Sequence, residues 1–451
     1  MPKKIFLIII CLVLFLMVPL SSVSVHAEGY DINFSAKTPT LLLVNLDTNS
    51  VVYSKNADQK RYPASTTKIM TYIVVSEHVP DLENTMVTVK KSVIDELNGT
   101  DSSMAGLDKI EGKKISVLNL LNCLLICSGN DAAMTLADYV GGGSIQKFVD
   151  MMNAKAKQLG CTNTHFANPH GLQNSNHYTT ARDLMKISQY AITLPHFSEI
   201  CNTTAKDIPN IGTIITTNYM INQNSGADQD YYYQYAKGIK TGSTNEAGKC
   251  LVSMAVADGY SYMCVAMGAP DTDNTPNYAM LDSRSLYRWA FQNFQLKQVL
   301  TQSSPVCEVP LDLAWNDQDV QLVPEKDYFT ILPNNVQISS IDIKTNIPDK
   351  ILAPVRQGDV IGTATLSYAN QKLATINLVA AKTVERSQVL YALSIIKAIV
   401  SSPFFIVAVT IIILLFIAYF ILALVYRKRI DAQSKVNIYD VSSHKNNRNR
   451  F

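Results

Sequence analysis

From Thr40 onward, short apolar runs alternate with polar turns, and their spacing changes character twice along the chain. Leu41-Leu42-Leu43-Val44 and Val51-Val52-Tyr53 flank Asp47-Thr48-Asn49-Ser50, which predicts a strand-turn-strand hairpin. Pro63 stands just ahead of a run with helical spacing from Ser65 to about His78, a proline position suited to a helix start. Helical spacing returns over 117–139 and 144–159, with Gly141-Gly142-Gly143 as the break, and again over 180–192, with Asp183 in the first turn. Asn168-Pro169-His170-Gly171 marks a turn. From Tyr235 the period shortens to that of strands, at 238–241, 250–256 and 260–267, before an aromatic-rich helix at 286–295. This portion reads as mixed α/β with a β-rich end.

Beyond about Val299 the runs become short. Val320-Gln321-Leu322-Val323, Gln337-Ile338, 360–366 and 373–379 alternate with Pro, Gly, Asn and Asp turns, which predicts a small all-β module at roughly 300–383. Its expected job is structural, a spacer below the first portion. The segment 398–426 then carries no charge over 29 residues, long enough to span a bilayer with some tilt; a buried soluble helix is the alternative. Arg427-Lys428-Arg429 follow at once, and Lys435, Lys445, Arg448 and Arg450 outnumber Asp431 and Asp440 in the tail. The positive-inside rule therefore puts the tail in the cytoplasm and the preceding chain outside. At the other end, Lys3 and Lys4 precede the apolar run from Ile5 to Leu20 and then Val25-His26-Ala27. That is the pattern of a secretory signal cut after Ala27, with an uncleaved anchor as the alternative.

Composition sharpens this. Across 451 residues, 39 basic side chains oppose 37 acidic ones, so a strongly basic nucleic-acid binder is not expected. An apolar fraction of 47% with 17% charged residues excludes disorder throughout. Setting aside Cys11 in the signal leaves seven of the eight cysteines, an odd number in a chain too long to need staples. Cys123 and Cys127 fall four apart in 118–137, which reads as one helix and is a poor frame for a disulfide. Most of these thiols read as small buried hydrophobes.

Ser65-Thr66-Thr67-Lys68 carries the first candidate chemistry. A serine and a lysine three apart share a helix face, and the amine can take the hydroxyl's proton if burial or a neighbouring cation depresses its pKa. Alone the pattern means little, because Ser-x-x-Lys recurs at Ser144, Ser394 and Ser442. Ser128-Gly129-Asn130 follows an apolar helical stretch; Ser54-Lys55-Asn56 and Ser243-Thr244-Asn245 match it by chance, and a cap is its ordinary meaning. Lys240-Thr241-Gly242 occurs once, on an expected strand. Its lysine could hold a carboxylate, its threonine could donate a hydrogen bond, and its glycine would let a substrate backbone come close.

The order and spacing of the three make a strong set, with Ser128 63 residues after Ser65 and Lys240 112 after Ser128. The chain resembles the low-molecular-weight penicillin-binding proteins, the serine-type D-alanyl-D-alanine carboxypeptidases (peptidase family S11). Beyond the three motifs, Pro63-Ala64, Asp131-Ala132-Ala133, Thr164-His165-Phe166-Ala167-Asn168-Pro169-His170-Gly171-Leu172 and Gly238-Ile239 support it, over about residues 41–294. The resemblance implies an α+β architecture. A DD-peptidase/β-lactamase-like catalytic domain, an antiparallel sheet flanked by helices, would be followed by a small all-β domain and a C-terminal transmembrane helix. The expected boundaries are 1–27 signal peptide, 28–298 catalytic domain, 299–383 β-sandwich-like domain, 384–397 linker or amphipathic segment, 398–426 span and 427–451 tail.

By resemblance, Ser65 attacks the penultimate D-Ala carbonyl of peptidoglycan stem peptides ending in D-Ala-D-Ala, and Lys68 takes its proton. Ser128 passes a proton toward the departing nitrogen, with Lys240 tuning that relay. Asn130, Lys240, Thr241, Gly242 and Ser243 form the substrate-binding set. Thr241 binds the terminal carboxylate, and backbone N–H groups of Ser65 and Ser243 form the oxyanion hole. β-Lactam antibiotics would acylate Ser65 and leave slowly, and the chain would sit in a bacterial cell membrane with its catalytic domain outside. No cofactor or metal is expected: the spacing of His165, His170 and His177 fits no zinc signature. Tyr231-Tyr232-Tyr233, beside Asp228 and Asp230, reads as a loop. One departure from the family stands at Thr216-Thr217-Asn218, where several members carry a basic residue that assists carboxylate binding. A class A β-lactamase would need a Glu-x-x-Leu-Asn pattern after Ser128; Glu96-Leu97-Asn98 lies before it and is mis-spaced. A D,D-endopeptidase and a non-catalytic β-lactam-binding wall protein remain as alternatives.

Overall fold

The computed structural model describes residues 30–224, 231–272, 275–315, 318–369 and 371–443. The expected signal at 1–27, Asp228, Asp230 and the tail beyond 443 lie outside them. By packing, the chain divides into two units, Met1–Lys297 with Phe329–Ile338, and Gln298–Tyr328 with Ser339–Phe451.

The first unit opens with strands β1 (Thr40–Asn45) and β2 (Ser50–Lys55), the expected hairpin. A 3-10 turn, Ala64–Thr67, runs directly into helix α1 (Lys68–His78). Strand β3 (Met86–Thr88), helix α2 (Lys91–Asp95) and strand β4 (Lys114–Ser116) lead to helices α3 (Val117–Leu125), α4 (Asn130–Val140), α5 (Ile145–Gln158), α6 (Ala181–Ala191) and α7 (Phe197–Cys201). A hairpin of β5 (Ala205–Ile208) and β6 (Gly212–Ile215) precedes strands β7 (Ala236–Thr244), β8 (Gly248–Ala257) and β9 (Tyr260–Ala269), and helix α8 (Tyr278–Asn293) closes the unit's main body.

The main sheet has the order β2-β1-β9-β8-β7, antiparallel throughout. Both of its faces are covered, which explains why its inner strands read as unbroken apolar runs. Leu41 and Leu43 on β1, with Tyr262, Cys264 and Ala266 on β9, face α8 through Leu286, Tyr287 and Ala290. Their neighbours Leu42 and Val44, with Met263, Val265 and Met267, face the helical layer through Ile69, Leu120, Leu136 and Ile187. Each Leu, Ile, Val or Met side chain fully buried in this way contributes roughly 1.5–3 kcal/mol. Helix starts follow side-chain caps: Ser116, Ser144 and Thr180 accept from Asn119, Lys147 and Asp183 N–H respectively.

Three expectations need correction here. The stretch 117–139 is not one helix: α3 stops at Leu125, Ser128 takes a left-handed φ of +63°, and α4 starts afresh at Asn130. Cys127 therefore lies in the break rather than one turn along from Cys123, and all seven cysteines among the described residues are free thiols. The aromatic helix begins at Tyr278, capped by Asn277, and ends at Asn293 rather than 295 because Phe294 opens an extended strand.

In the second unit, β11 (Cys307–Asp312), β12 (Asp319–Pro324), β14 (Asp342–Asn346), β15 (Ile351–Leu352), β16 (Val360–Tyr368) and β17 (Gln371–Ala380) form one six-stranded sheet in the order β14-β16-β17-β12-β11-β15. Alternate residues such as Val309 and Leu311, or Val320 and Leu322, supply its core. Strands β10 (Phe294–Leu300) and β13 (Tyr328–Pro333), most of whose residues belong to the first unit, pair separately, and the run expected as a strand at 337–338 is instead the start of a 3-10 turn, Ile338–Ser340. The segment expected as a linker to 397 forms helix α9 (Gln388–Val400). Helix α10 (Pro403–Ser443) follows a break at Ser401-Ser402, where Ser402 Oγ accepts from Phe405 N–H at 3.1 Å and Pro403 takes the first position. Among the described residues, the helix long and apolar enough to cross a membrane is Pro403–Ile430, and the uncharged run from Ala398 begins at the end of α9.

Candidate active site

Three elements meet at the end of the helical layer next to β7. The first is the 3-10 turn, entered through Pro63 and through Ala64, which holds a φ of +48°. That left-handed step costs an L-residue about 1–2 kcal/mol. It is held in place by Thr67 Oγ1, which donates to Ala64 O at 2.8 Å, and by Thr66 Oγ1, which donates to Pro63 O at 2.6 Å. Gly171 (φ +94°) closes over it, since a Cβ there would lie 1.9 Å from Ala64 O. Ser65 is thereby presented half-buried, with Lys68 fully buried one turn on.

Lys68 Nζ lies 2.8 Å from Ser65 Oγ, 2.6 Å from Asn130 Oδ1 and 2.8 Å from His170 O. Burial, and then the positive charge of Lys240, pull the Lys68 ammonium well below its usual pKa. A neutral amine here keeps two N–H groups for the Asn130 and His170 oxygens and turns its lone pair to the Ser65 hydroxyl.

The second element is the break between α3 and α4. Its left-handed turn at Ser128 carries that hydroxyl to 2.9 Å from Lys240 Nζ. The third is β7, the outermost strand of its sheet, along which every second backbone group points away from β8. Lys240, also buried, donates to Ser128 Oγ and to Thr241 O at 2.9 Å, and desolvation lowers its pKa to about 8. Thr241 Oγ1 hydrogen-bonds Thr217 Oγ1, and Ser243 Oγ donates to Asp271 Oδ2, while Asp271 Oδ1 pairs with Lys249 Nζ at 3.2 Å. Gly242 has a role that the sequence reading placed elsewhere. A Cβ on it would lie 2.9 Å from Ser65 N and 3.0 Å from Thr66 N, so the glycine lets β7 abut the turn bearing Ser65.

All eight residues singled out in the sequence thus fall in one neighbourhood. Several others were missed. The His170 carbonyl on Lys68 and the Ser102 hydroxyl, which accepts from Asn130 Nδ2 at 2.9 Å, have no pattern that would reveal them. His177 Nε2 lies 2.8 Å from Thr67 Oγ1, and its Nδ1 accepts from Ala167 N–H at 3.1 Å, so the neutral ring buttresses the 3-10 turn. Burial pushes the His170 and His177 rings down to about 3. Among the described residues, no three His, Cys, Asp or Glu side chains group as a metal site. Tyr231–Tyr233 form no helix or strand run, and Tyr233 stacks inward on Tyr287 at 6.1 Å.

Residues 25–271 match the family described as D-alanyl-D-alanine carboxypeptidase, and residues 294–386 match the penicillin-binding protein 5 C-terminal domain. The D-alanyl-D-alanine carboxypeptidase DacA of Haemophilus influenzae is 31% identical over 80% of this chain and 89% of its own. DacF of Bacillus subtilis is 27% identical over 74% of this chain and 82% of its own. The solved structure of penicillin-binding protein 5 from Haemophilus influenzae superposes with a TM-score of 0.66 at 28% identity, covering 79% of this chain and all of that one.

Proposed function

The chain belongs to the D-alanyl-D-alanine carboxypeptidase family of serine peptidases, and on that premise we propose how its residues divide the reaction. It is a serine-type D-Ala-D-Ala carboxypeptidase of the low-molecular-weight penicillin-binding class, a class that binds β-lactams covalently. Ser65 Oγ attacks the carbonyl carbon of the penultimate D-Ala while its proton passes to the lone pair of Lys68. The observation that carries this assignment is the Lys68 amine, buried, with no carboxylate paired to it among the described residues, and 2.8 Å from Ser65 Oγ. The oxyanion that forms takes hydrogen bonds from the backbone N–H groups of Ser65 and Ser243, which in other serine enzymes are worth about 3 kcal/mol each.

Collapse of the tetrahedral species breaks the C–N bond, and the departing D-Ala nitrogen gains a proton through the Ser128 hydroxyl. Lys240, at 2.9 Å, replenishes that hydroxyl. Thr241 holds the substrate's terminal carboxylate, with Lys240 supplying the positive charge. Asn130 fixes Lys68 and offers its amide to the substrate. Once exchange with solvent has removed the proton from Lys68 and returned one to Lys240, water attacks the Ser65 ester, Lys68 takes its proton and passes it to the Ser65 oxygen, and the shortened peptide leaves. A β-lactam follows the same first steps, but its amine stays tethered to the acyl group after ring opening, so the ester persists.

The stem peptides of peptidoglycan are the substrate this reading assigns. The apolar helix Pro403–Ile430 anchors the protein in a membrane, and Arg427-Lys428-Arg429 place the tail on the cytoplasmic side with the catalytic unit outside. The test is release of free D-alanine from a pentapeptide ending in D-Ala-D-Ala, using the detergent-solubilised chain beside its Ser65→Ala variant. Release by the parent alone supports the scheme. Splitting of cross-linked dimers into monomers, with no D-alanine released from the pentapeptide, would make the chain an endopeptidase instead.

A further inference from the structure

The mechanism leaves one buried acid unused. Asp131 is 0% exposed, and the donors that reach it are backbone amides. Ala105 N–H lies 2.9 Å from Oδ1 and 3.0 Å from Oδ2, Gly106 and Leu107 N–H lie 3.0 Å from Oδ2, and Ala132 N–H lies 2.9 Å from Oδ1. A carboxylate taken out of water is tolerated when charge-assisted bonds of this kind replace its hydration. Residues 101–106 have no regular secondary structure, so three consecutive amides are held by a side chain instead of a ladder. Gly129 belongs to the same arrangement. A Cβ there would lie 2.8 Å from Asp131 Oδ1 and 2.9 Å from Ala105 Cβ.

The pinned segment returns two bonds to the site. Ser103 O accepts from Asn130 N–H at 2.7 Å, and Ser102 Oγ accepts from Asn130 Nδ2 at 2.9 Å. Asn130 Oδ1 is then the atom that faces Lys68, at 2.6 Å. We propose that Asp131 is a positioning residue for acylation: it folds segment 101–107 into a wall that fixes the Asn130 amide, which aims the Lys68 amine at Ser65. This rests on the reading of Lys68 as the base that activates Ser65.

The experiment follows a fluorescent penicillin on the full chain in detergent. It separates the dissociation constant of the initial complex from the maximal acylation rate for the parent, Asp131→Asn, Ser102→Ala and the double variant. Misplacing a catalytic group by about 1 Å costs about 10²-fold, so Asp131→Asn is expected to slow acylation by that order, with the dissociation constant shifted less than about 3-fold. Ser102→Ala is expected to slow it about 10-fold. Because both act through one amide, the double variant is expected to be no slower than Asp131→Asn alone. A folded Asp131→Asn protein acylating at the parent rate overturns the proposal, as do two effects that multiply in the double variant. Should Asp131→Asn fail to fold, Ser102→Ala decides: normal acylation there removes the route through Asn130. Parent acylation that survives Ser65→Ala would instead defeat the assigned nucleophile, a result distinct from any of these.

Discussion

Two serine–lysine pairs lie side by side in the catalytic unit, and their surroundings differ more than their chemistry. Lys68 and Lys240 are both buried, and each sits within 2.9 Å of a serine hydroxyl. Lys68 has its remaining N–H positions matched by two oxygens, Asn130 Oδ1 and His170 O, and the neighbouring Lys240 charge adds to its desolvation. Lys240 has a single further acceptor, Thr241 O, and drops to about 8. The first environment favours an amine with a fixed lone pair, which suits a base. The second leaves an ammonium that gives up its proton close to working pH, which suits a donor. One residue type takes two roles because the groups around the two buried amines differ.

The largest effect that could break this comparison is at the first pair. Ser65→Ala removes the proposed nucleophile, and D-alanine release and penicillin labelling are both expected to fall by more than about 10³-fold. Lys68→Arg tests the lone pair. A guanidinium stays charged at any working pH and offers no lone pair, so acylation is expected to drop by a similar factor although a side chain of similar reach and hydrogen-bonding capacity is kept. Mass spectrometry of the penicillin adduct checks both. Rapid labelling of Lys68→Arg would show that Lys68 acts by charge alone.

The second pair is expected to respond less, and in its pH profile. If Lys240 donates while protonated, raising the pH through about 8 removes that proton, and kcat falls on the alkaline side. Lys240→Arg keeps its charge, so the descending limb moves to higher pH while kcat at neutral pH falls by about 10²-fold. A limb that stays near 8 in the variant would assign it to another group.

A third difference lies in support. Two neutral histidines serve the first pair, His177 through Thr67 and His170 through its carbonyl on Lys68. Their pKa of about 3 in the folded chain lies below the unfolded value near 6.5. Between those limits the unfolded chain binds more protons, so stability is full above about 6.5 and is lost as pH falls toward 3. From pH 6.5 to 5 each ring contributes a loss of about 2 kcal/mol. Urea midpoints at pH 7 and pH 5 check this, and His177→Asn is expected to flatten the slope while lowering stability at pH 7. An unchanged slope in that variant would clear His177 of the acid sensitivity.

How much of this was legible in the sequence follows from the range of each interaction. The motifs name Ser65, Lys68, Ser128, Asn130 and Lys240 because spacing on one element is a local property. The break between α3 and α4 was legible only as a cap at Ser128-Gly129-Asn130, since Ile126 and Cys127 continue the apolar pattern through the turn that aims Ser128. Gly242 looked like room for a substrate, whereas the group that would meet its Cβ is the Ser65 amide, 177 residues away in the chain. Carbonyl partners such as His170 O carry no side-chain identity, so composition cannot announce them. In the C-terminal region, hydropathy showed a long apolar run but not where its helix begins, because Ser402 and Pro403 act through capping geometry rather than polarity.

The smallest expected effect concerns Thr217, and it bears on how the second pair meets the substrate. Thr217 Oγ1 hydrogen-bonds the Thr241 hydroxyl, next to Lys240 on β7. Two hydroxyls in series can each act as donor and acceptor, so Thr217 donating to Thr241 leaves the Thr241 proton free for a carboxylate. Thr217→Val keeps the side-chain shape and removes that donor. A net hydrogen bond is worth about 0.5–1.5 kcal/mol, so KM for a D-Ala-D-Ala peptide is expected to rise about 3- to 10-fold, with kcat changed less than about 2-fold. A loss confined to kcat would instead tie Thr217 to the proton relay through Lys240 and Ser128. The two lysine environments would then share a hydrogen-bond chain rather than divide the work.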